Sequence, residues 1–125
     1  MLNNLPVNAV LPAKDLARAR TFYSEKLGLE AAEENAGGLM YRMQDGSSFL
    51  LYETDNAGSA KNTAMCWTAR DFDSEVAELR ARGITFEDYD FPGLKTENGV
   101  ATMENEKSAW FLDSEGNILC IAQDL

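Results

Sequence analysis

The chain has 125 residues, 45% of them hydrophobic and 26% charged, the make-up of one soluble domain able to bury its own core. Its net charge of −10, from 21 acidic against 11 basic side chains, includes no basic stripe to follow a phosphate backbone, which argues against nucleic acid as a partner. There is no histidine, so the commonest zinc sites and the commonest general base are excluded, and any chemistry falls to carboxylates, Tyr, Cys, Lys or Arg.

No apolar stretch is long enough to span a bilayer, which argues against a membrane partner, and the opening Met1-Leu2-Asn3-Asn4 lacks the basic and apolar regions of a secretion signal. A cytoplasmic protein is expected. Cys66 and Cys120 each sit in an apolar run and are expected as free buried thiols rather than a disulfide.

In chain order, residues 6–12 ("PVNAVLP") alternate as a strand bounded by prolines. A helix follows, with Asp15 as N-cap, Leu16, Ala19, Phe22, Tyr23 and Leu27 on one face, and Gly28 as its stop. Three strands are predicted at 29–33, 39–44 and 48–54, the last two joined by Asp45-Gly46, a favoured hairpin turn. Residues 55–62 ("DNAGSAKN") are small and polar and are assigned as a linker.

The second half repeats the first. A strand at 64–69 leads to a helix capped by Asp71, with Phe72, Val76 and Leu79 inward, Arg80 and Arg82 near its end and Gly83 stopping it. Strands are predicted at 84–89, about 100–103, 109–112 and 118–123. "AKDL" at 13–16 matches "ARDF" at 69–72, so the chain divides into two β-α-β-β-β modules, 1–56 and 63–125, joined edge to edge within a single domain. Residues 91–107 carry Pro92-Gly93 and Asn98-Gly99 turns and are expected to form a flap, with Lys95, Glu97 and Glu104 as its polar groups.

The helix "DLARARTFYSEKLGL" (15–29), the closing "FLDSEGNILCI" (111–121) and the duplicated element order resemble the vicinal oxygen chelate superfamily, which includes glyoxalase I, extradiol dioxygenases and bleomycin-resistance proteins. The resemblance covers essentially the whole chain. It implies an α+β fold in which two modules form a curved mixed sheet around a cup, with helices on the outer face. Metal-dependent members place one ligand in each of four strands, and matching landmarks put those positions near Asn8, Leu51, Ala64 and Cys120. An amide, an alkyl group, a methyl and a thiol there cannot chelate a hard divalent ion or zinc well, so no metal and no cofactor are expected.

Strand alternation from those positions points Val10, Phe49, Cys66, Thr68, Ile118 and Ala122 into the cup, with Glu53 sharing the parity of Leu51. In the seventh strand Phe111 matches the buried core Phe of the superfamily, leaving Trp110 and Leu112 to face the cavity, and Tyr41 and Met43 line it from the third strand. Trp67 is expected on the other face, against a helix. The expected ligand-binding set is therefore Asn8, Tyr41, Met43, Phe49, Leu51, Glu53, Cys66, Trp110, Leu112 and Cys120, with Glu53 the one candidate for acid/base catalysis.

Drug-sequestering members of the superfamily lack the metal quartet and bind cationic or aromatic antibiotics between two chains. The resemblance therefore implies a homodimeric, metal-free binding protein for an aromatic or cationic amphipathic small molecule. The alternatives are a metal-dependent lyase, isomerase or dioxygenase of the same superfamily, and a regulatory module with a filled cup.

Overall fold

The computed structural model describes residues 1–125. Two aspartates start its helices. Asp15 Oδ1 accepts from Arg18 N at 3.0 Å and opens α1 (Leu16–Leu27), which Gly28 ends in the left-handed region at φ 69°. Asp71 Oδ1 accepts from Ser74 N at 3.2 Å and opens α2 (Phe72–Ala81).

The strands are β1 (Ala9–Ala13), β2 (Glu33–Asn35), β3 (Gly38–Arg42), β4 (Ser48–Glu53), β5 (Thr63–Thr68), β6 (Asp90–Phe91), β7 (Leu94–Lys95), β8 (Ala101–Thr102), β9 (Glu106–Leu112) and β10 (Ile118–Asp124). One sheet runs β1-β4-β3-β2 and the other β5-β10-β9-β8, while β6 and β7 form a small hairpin. In each four-stranded sheet the first strand lies parallel to its neighbour and the other pairs are antiparallel, so the duplication extends to topology. The α+β class is as expected. Hydrogen bonding does not run from β1 to β5, so the two mixed sheets stay separate.

Two predicted strands move. Residues 84–89 form no strand: Ile84 and Phe86 are buried in the core, and Glu87 N donates to Trp110 O, but no continuous ladder follows. The first short strand begins at Glu33 rather than Leu29, because Leu29 and Ala31 pack against the core in the turn leaving α1.

Both modules share one core. Ala19 and Tyr23 of α1 lie over Leu11, Leu39, Tyr41, Phe49 and Leu51, while Phe72 and Val76 of α2 join Ala109, Phe111, Leu119 and Ile121. Aromatic rings carry the contact across: Tyr41 stacks on Phe49 at 4.8 Å, Phe49 meets Trp67 edge-on at 6.2 Å, and Trp67 stacks on Phe111 at 6.5 Å. The helix-bearing faces of the sheets thus meet in the middle. Their opposite faces turn outward, leaving Val10 56%, Tyr52 38% and Leu112 44% exposed.

A polar junction fastens one side of this interface. The turn between β9 and β10 reaches the corner between β1 and α1, where Glu115 accepts from the amides of Lys14 and Asp15, each at 2.9 Å, and from Arg18 Nε at 2.9 Å and Nη2 at 3.0 Å. The buried Tyr23 hydroxyl donates to Asp113 Oδ2 at 2.7 Å, and Asn117 Nδ2 donates to Pro12 O at 2.9 Å. Gly116 has φ 86°, and a Cβ there would lie 2.9 Å from Gly58 Cα, so only glycine lets the linker cross this turn.

Candidate functional site

The ten predicted site residues fall in different places. Tyr41, Phe49 and Leu51, at 0%, 2% and 0% exposure, lie beneath α1 and not on the outward face. The parity expected for the third and fourth strands is therefore reversed. Phe49 pairs with Tyr41 and Leu51 with Leu39, and β1 sets Leu11 rather than Val10 against Leu51, so all of them lie toward the helix while Val10 does not. By alternation the outward face carries Met40, Leu50 and Tyr52 instead.

Glu53 ends β4 opposite Ala13, shares the helix-side parity of Leu51 and is exposed. Asn8 is exposed just before β1, where its Oδ1 accepts from the Ser48 hydroxyl. Cys66, Trp110, Leu112 and Cys120 alternate with the core residues Trp67, Ala109, Phe111, Leu119 and Ile121, so they occupy the face of the second sheet away from α2. Met43 sits in the β3–β4 turn, apart from that face. No group of three or more His, Cys, Asp or Glu side chains comes together that could hold a metal ion.

The outward face of the second sheet has an aromatic wall. Trp110 Nε1 donates to Thr63 Oγ1 at 3.1 Å, and the Tyr89 ring meets Trp110 edge-on at 5.6 Å. Asp88 braces Tyr89 by accepting from Thr96 Oγ1 at 2.9 Å and Gly99 N at 2.8 Å, at the base of the β6–β7 hairpin that turns on Pro92-Gly93. The expected flap is thus in part this hairpin, with Lys95, Glu97 and Glu104 exposed. Beneath the wall lie the two free thiols, Cys66 exposed and Cys120 buried. Burial first, then the neighbouring Cys66, pushes the Cys120 thiol up to about 12, and burial raises that of Cys66.

A cavity lies elsewhere, between the modules. It is an open groove of about 680 Å³ whose apolar lining includes Met43, Trp67, Leu79, Phe111 and Ile121, with Asp45, Arg70, Asp71 and Glu75 among its polar groups. Of the predicted site residues it takes Met43 and Cys66.

The internal repeat explains why this groove exists. Asp15 and Asp71 lie 56 residues apart, and the same step carries Lys14, Arg18 and Tyr23 to Arg70, Ser74 and Leu79. The two inter-strand turns also correspond: Met43 N to Ser47 O and Gly46 N to Met43 O repeat as Asp113 N to Asn117 O and Gly116 N to Asp113 O. Met43 therefore stands where Asp113 does, and Asp45 where Glu115 does. Leu79 in place of Tyr23 and Met43 in place of Asp113 cannot make the buried hydrogen bond, and Ser74 in place of Arg18 offers no guanidinium.

Asp45, one methylene shorter than Glu115, is instead held by Ser47, from the amide at 2.9 Å and the hydroxyl at 2.6 Å; that hydroxyl bond is the first cause of its lowered pKa. The amides of Arg70 and Asp71, in the places of Lys14 and Asp15, donate to no protein acceptor. The groove is the junction of the other side with its polar fastening replaced by alkyl groups. Sequence reasoning missed it, although the repeat it found, extended to the two turns, sets Asp45 against Glu115.

The sequence profile of the Glyoxalase/Bleomycin resistance protein/Dioxygenase superfamily matches residues 6–121. No curated protein matches. Among solved structures, the chain is similar to a glyoxalase/bleomycin resistance protein/dioxygenase from Alicyclobacillus acidocaldarius, with 22% identity, a TM-score of 0.70 and coverage of 98% of this chain and 92% of that one. It is also similar to TnmS3, an antibiotic binding protein from Streptomyces sp. CB03234, with 19% identity, a TM-score of 0.65 and 97% and 98% coverage. Oxidase ChaP-H2 matches with 20% identity, a TM-score of 0.65 and 95% and 92% coverage. At these identities the likenesses show the fold.

Proposed function

Because the chain belongs to the Glyoxalase/Bleomycin resistance protein/Dioxygenase superfamily, whose folds accommodate both binding proteins and enzymes, we propose that it is a metal-free receptor for an aromatic, cationic amphipathic small molecule. One observation carries this reading: the groove between the modules, about 680 Å³ with Trp67 and Phe111 stacked in its lining. That volume is within the roughly 300–1,000 Å³ of small-molecule sites. Asp45, Asp71 and Glu75 outnumber Arg70 there, which favours a cation over an anion, and the half-buried Trp67 ring, backed by the buried Phe111, offers a planar body something to stack on. The absence of any converging trio of metal-donor side chains supports binding without metal, and the name of TnmS3 supplies a precedent within the fold.

The test uses a Trp110→Phe variant, which leaves Trp67 as the only indole, titrated with ethidium and rhodamine 6G in the presence of EDTA. Saturable quenching is expected, and the double substitution Met43→Asp with Leu79→Tyr, which rebuilds in the groove the pair that closes the opposite junction, abolishes it. Unchanged affinity in that double variant, or no saturable signal with either probe, overturns the reading. The outward apolar side chains Val10 and Tyr52 further support a homodimer that covers the outward face of the first sheet. A mass of one chain by light scattering at high protein concentration would remove that part of the proposal.

A further inference from the structure

Cys66 of β5 and Cys120 of β10 are direct partners across a parallel strand pair. A slip in the ladder makes them so. Ile118 pairs with Thr63 but Leu119 with Met65, so Ala64 is passed over and each later residue of β5 meets β10 one place sooner. Without that slip Cys120 would lie opposite Met65, which packs against the core.

Both thiols leave the sheet on the same face. Neighbouring strands are about 4.8 Å apart, within the roughly 4.4–6.8 Å Cα separation that a disulfide spans. Each Sγ now donates only a weak bond to the next carbonyl, Cys66 to Trp67 O at 3.5 Å and Cys120 to Ile121 O at 3.6 Å, so turning one sulfur toward the other gives up little. Access is unequal: Cys66 is exposed, whereas Cys120 is buried with Trp110 as its register neighbour on the other side.

We propose that Cys66 and Cys120 form a dithiol–disulfide couple that hydrogen peroxide oxidises. The Cys66 sulfur attacks the peroxide, the O–O bond breaks, and a sulfenic acid and one water result. The Cys120 sulfur then attacks the Cys66 sulfur, the S–O bond breaks, and hydroxide leaves with the Cys120 proton as the second water. The two thiols lose two electrons and two protons, and the peroxide gains them. Cys66 is the sulfur that meets the oxidant and Cys120 the one that resolves it.

Native protein is treated with hydrogen peroxide, quenched with catalase, denatured, alkylated with N-ethylmaleimide and weighed intact. Wild type is expected to lose two hydrogen masses, to resist alkylation at both cysteines, to run as a single chain without reductant and to recover both thiols with dithiothreitol. Cys120→Ser is expected to stop at a sulfenic acid that dimedone traps on Cys66, and Cys66→Ser to keep Cys120 alkylatable. The proposal is overturned if wild type accumulates Cys66 sulfinic acid beside an alkylatable Cys120, if it forms a cross-link between chains, or if both its thiols survive a peroxide dose that oxidises Cys66 in Cys120→Ser.

Discussion

Glu115→Ala tests the account of the closed junction most directly. The substitution removes the acceptor for five hydrogen bonds, from Lys14 N, Asp15 N, Arg18 Nε, Arg18 Nη2 and Ser114 Oγ, at 2.7 to 3.0 Å. Breaking a fully buried ion pair costs about 3–5 kcal/mol, and each orphaned buried donor about 1–3 kcal/mol. The Glu115 side chain is 0% exposed but that of Arg18 is 53% exposed, so the guanidinium rehydrates and the sum must be discounted. A loss of about 3 kcal/mol remains. With a urea slope of about 2 kcal/mol/M for a domain of this size, the midpoint falls by about 1.5 M with the slope unchanged. Asp45→Ala, at the corresponding place on the open side, moves the midpoint far less. A shift below about 0.3 M for Glu115→Ala, or an equal shift for Asp45→Ala, refutes the assignment of the two junctions as one fastened and one not.

The same carboxylate sets a pH dependence. Burial alone raises the pKa of Glu115, but hydrogen bonds from Arg18, Ser114 and the Asp15 amide outweigh it and bring the value from 4.5 down to about 2. A depressed folded pKa gives stability that is present above pH 4.5 and lost as pH falls through about 2, so the gap between wild type and Glu115→Gln in urea melts narrows across that window. Tyr23→Phe removes a buried hydrogen bond to a carboxylate and is expected to cost about 1.5–3 kcal/mol in the same melts. Tyr41→Phe is expected to leave stability unchanged or raise it by up to about 1 kcal/mol, since the Tyr41 hydroxyl is buried without a partner; a clear loss would mean that it has one. In native hydrogen exchange, the amides of Lys14 and Asp15 are expected to be protected and those of Arg70 and Asp71 to exchange freely, and equal rates would contradict the difference in their bonding.

The parts legible in the sequence are those written in local chemistry. Asp15, Gly28, Asp71 and Gly83 mark the helix limits because capping and left-handed backbone need only a few neighbouring residues. Trp67 and Phe111 fall on the helix side as expected, because Phe111 anchors the parity of the last strand pair. The parity of β3 and β4 failed for a reason that is equally physical. Tyr41, Phe49 and Leu51 share one face as expected, but β1 sets Leu11 rather than Val10 beside Leu51, and one residue of difference in that count turns every side chain of a strand to the opposite face. The closing "DSEGN" resembles a family marker in sequence. What the sequence does not reveal is that Asp113 and Glu115 are engaged in holding the modules together and so are withdrawn from chemistry. The groove depends on which long-range partners are missing, and no local pattern reports that.

The two sides of the module interface give the molecule a preferred direction of motion. One edge is riveted by charged and amide bonds and the other is closed only by greasy contact, so relative movement of the halves is a swing, with Glu115 near the axis and Asp45 and Leu79 on the free margin. Widening that margin parts Met43 of the first module from Trp67 and Leu79 of the second, and the pivot stays intact as it opens.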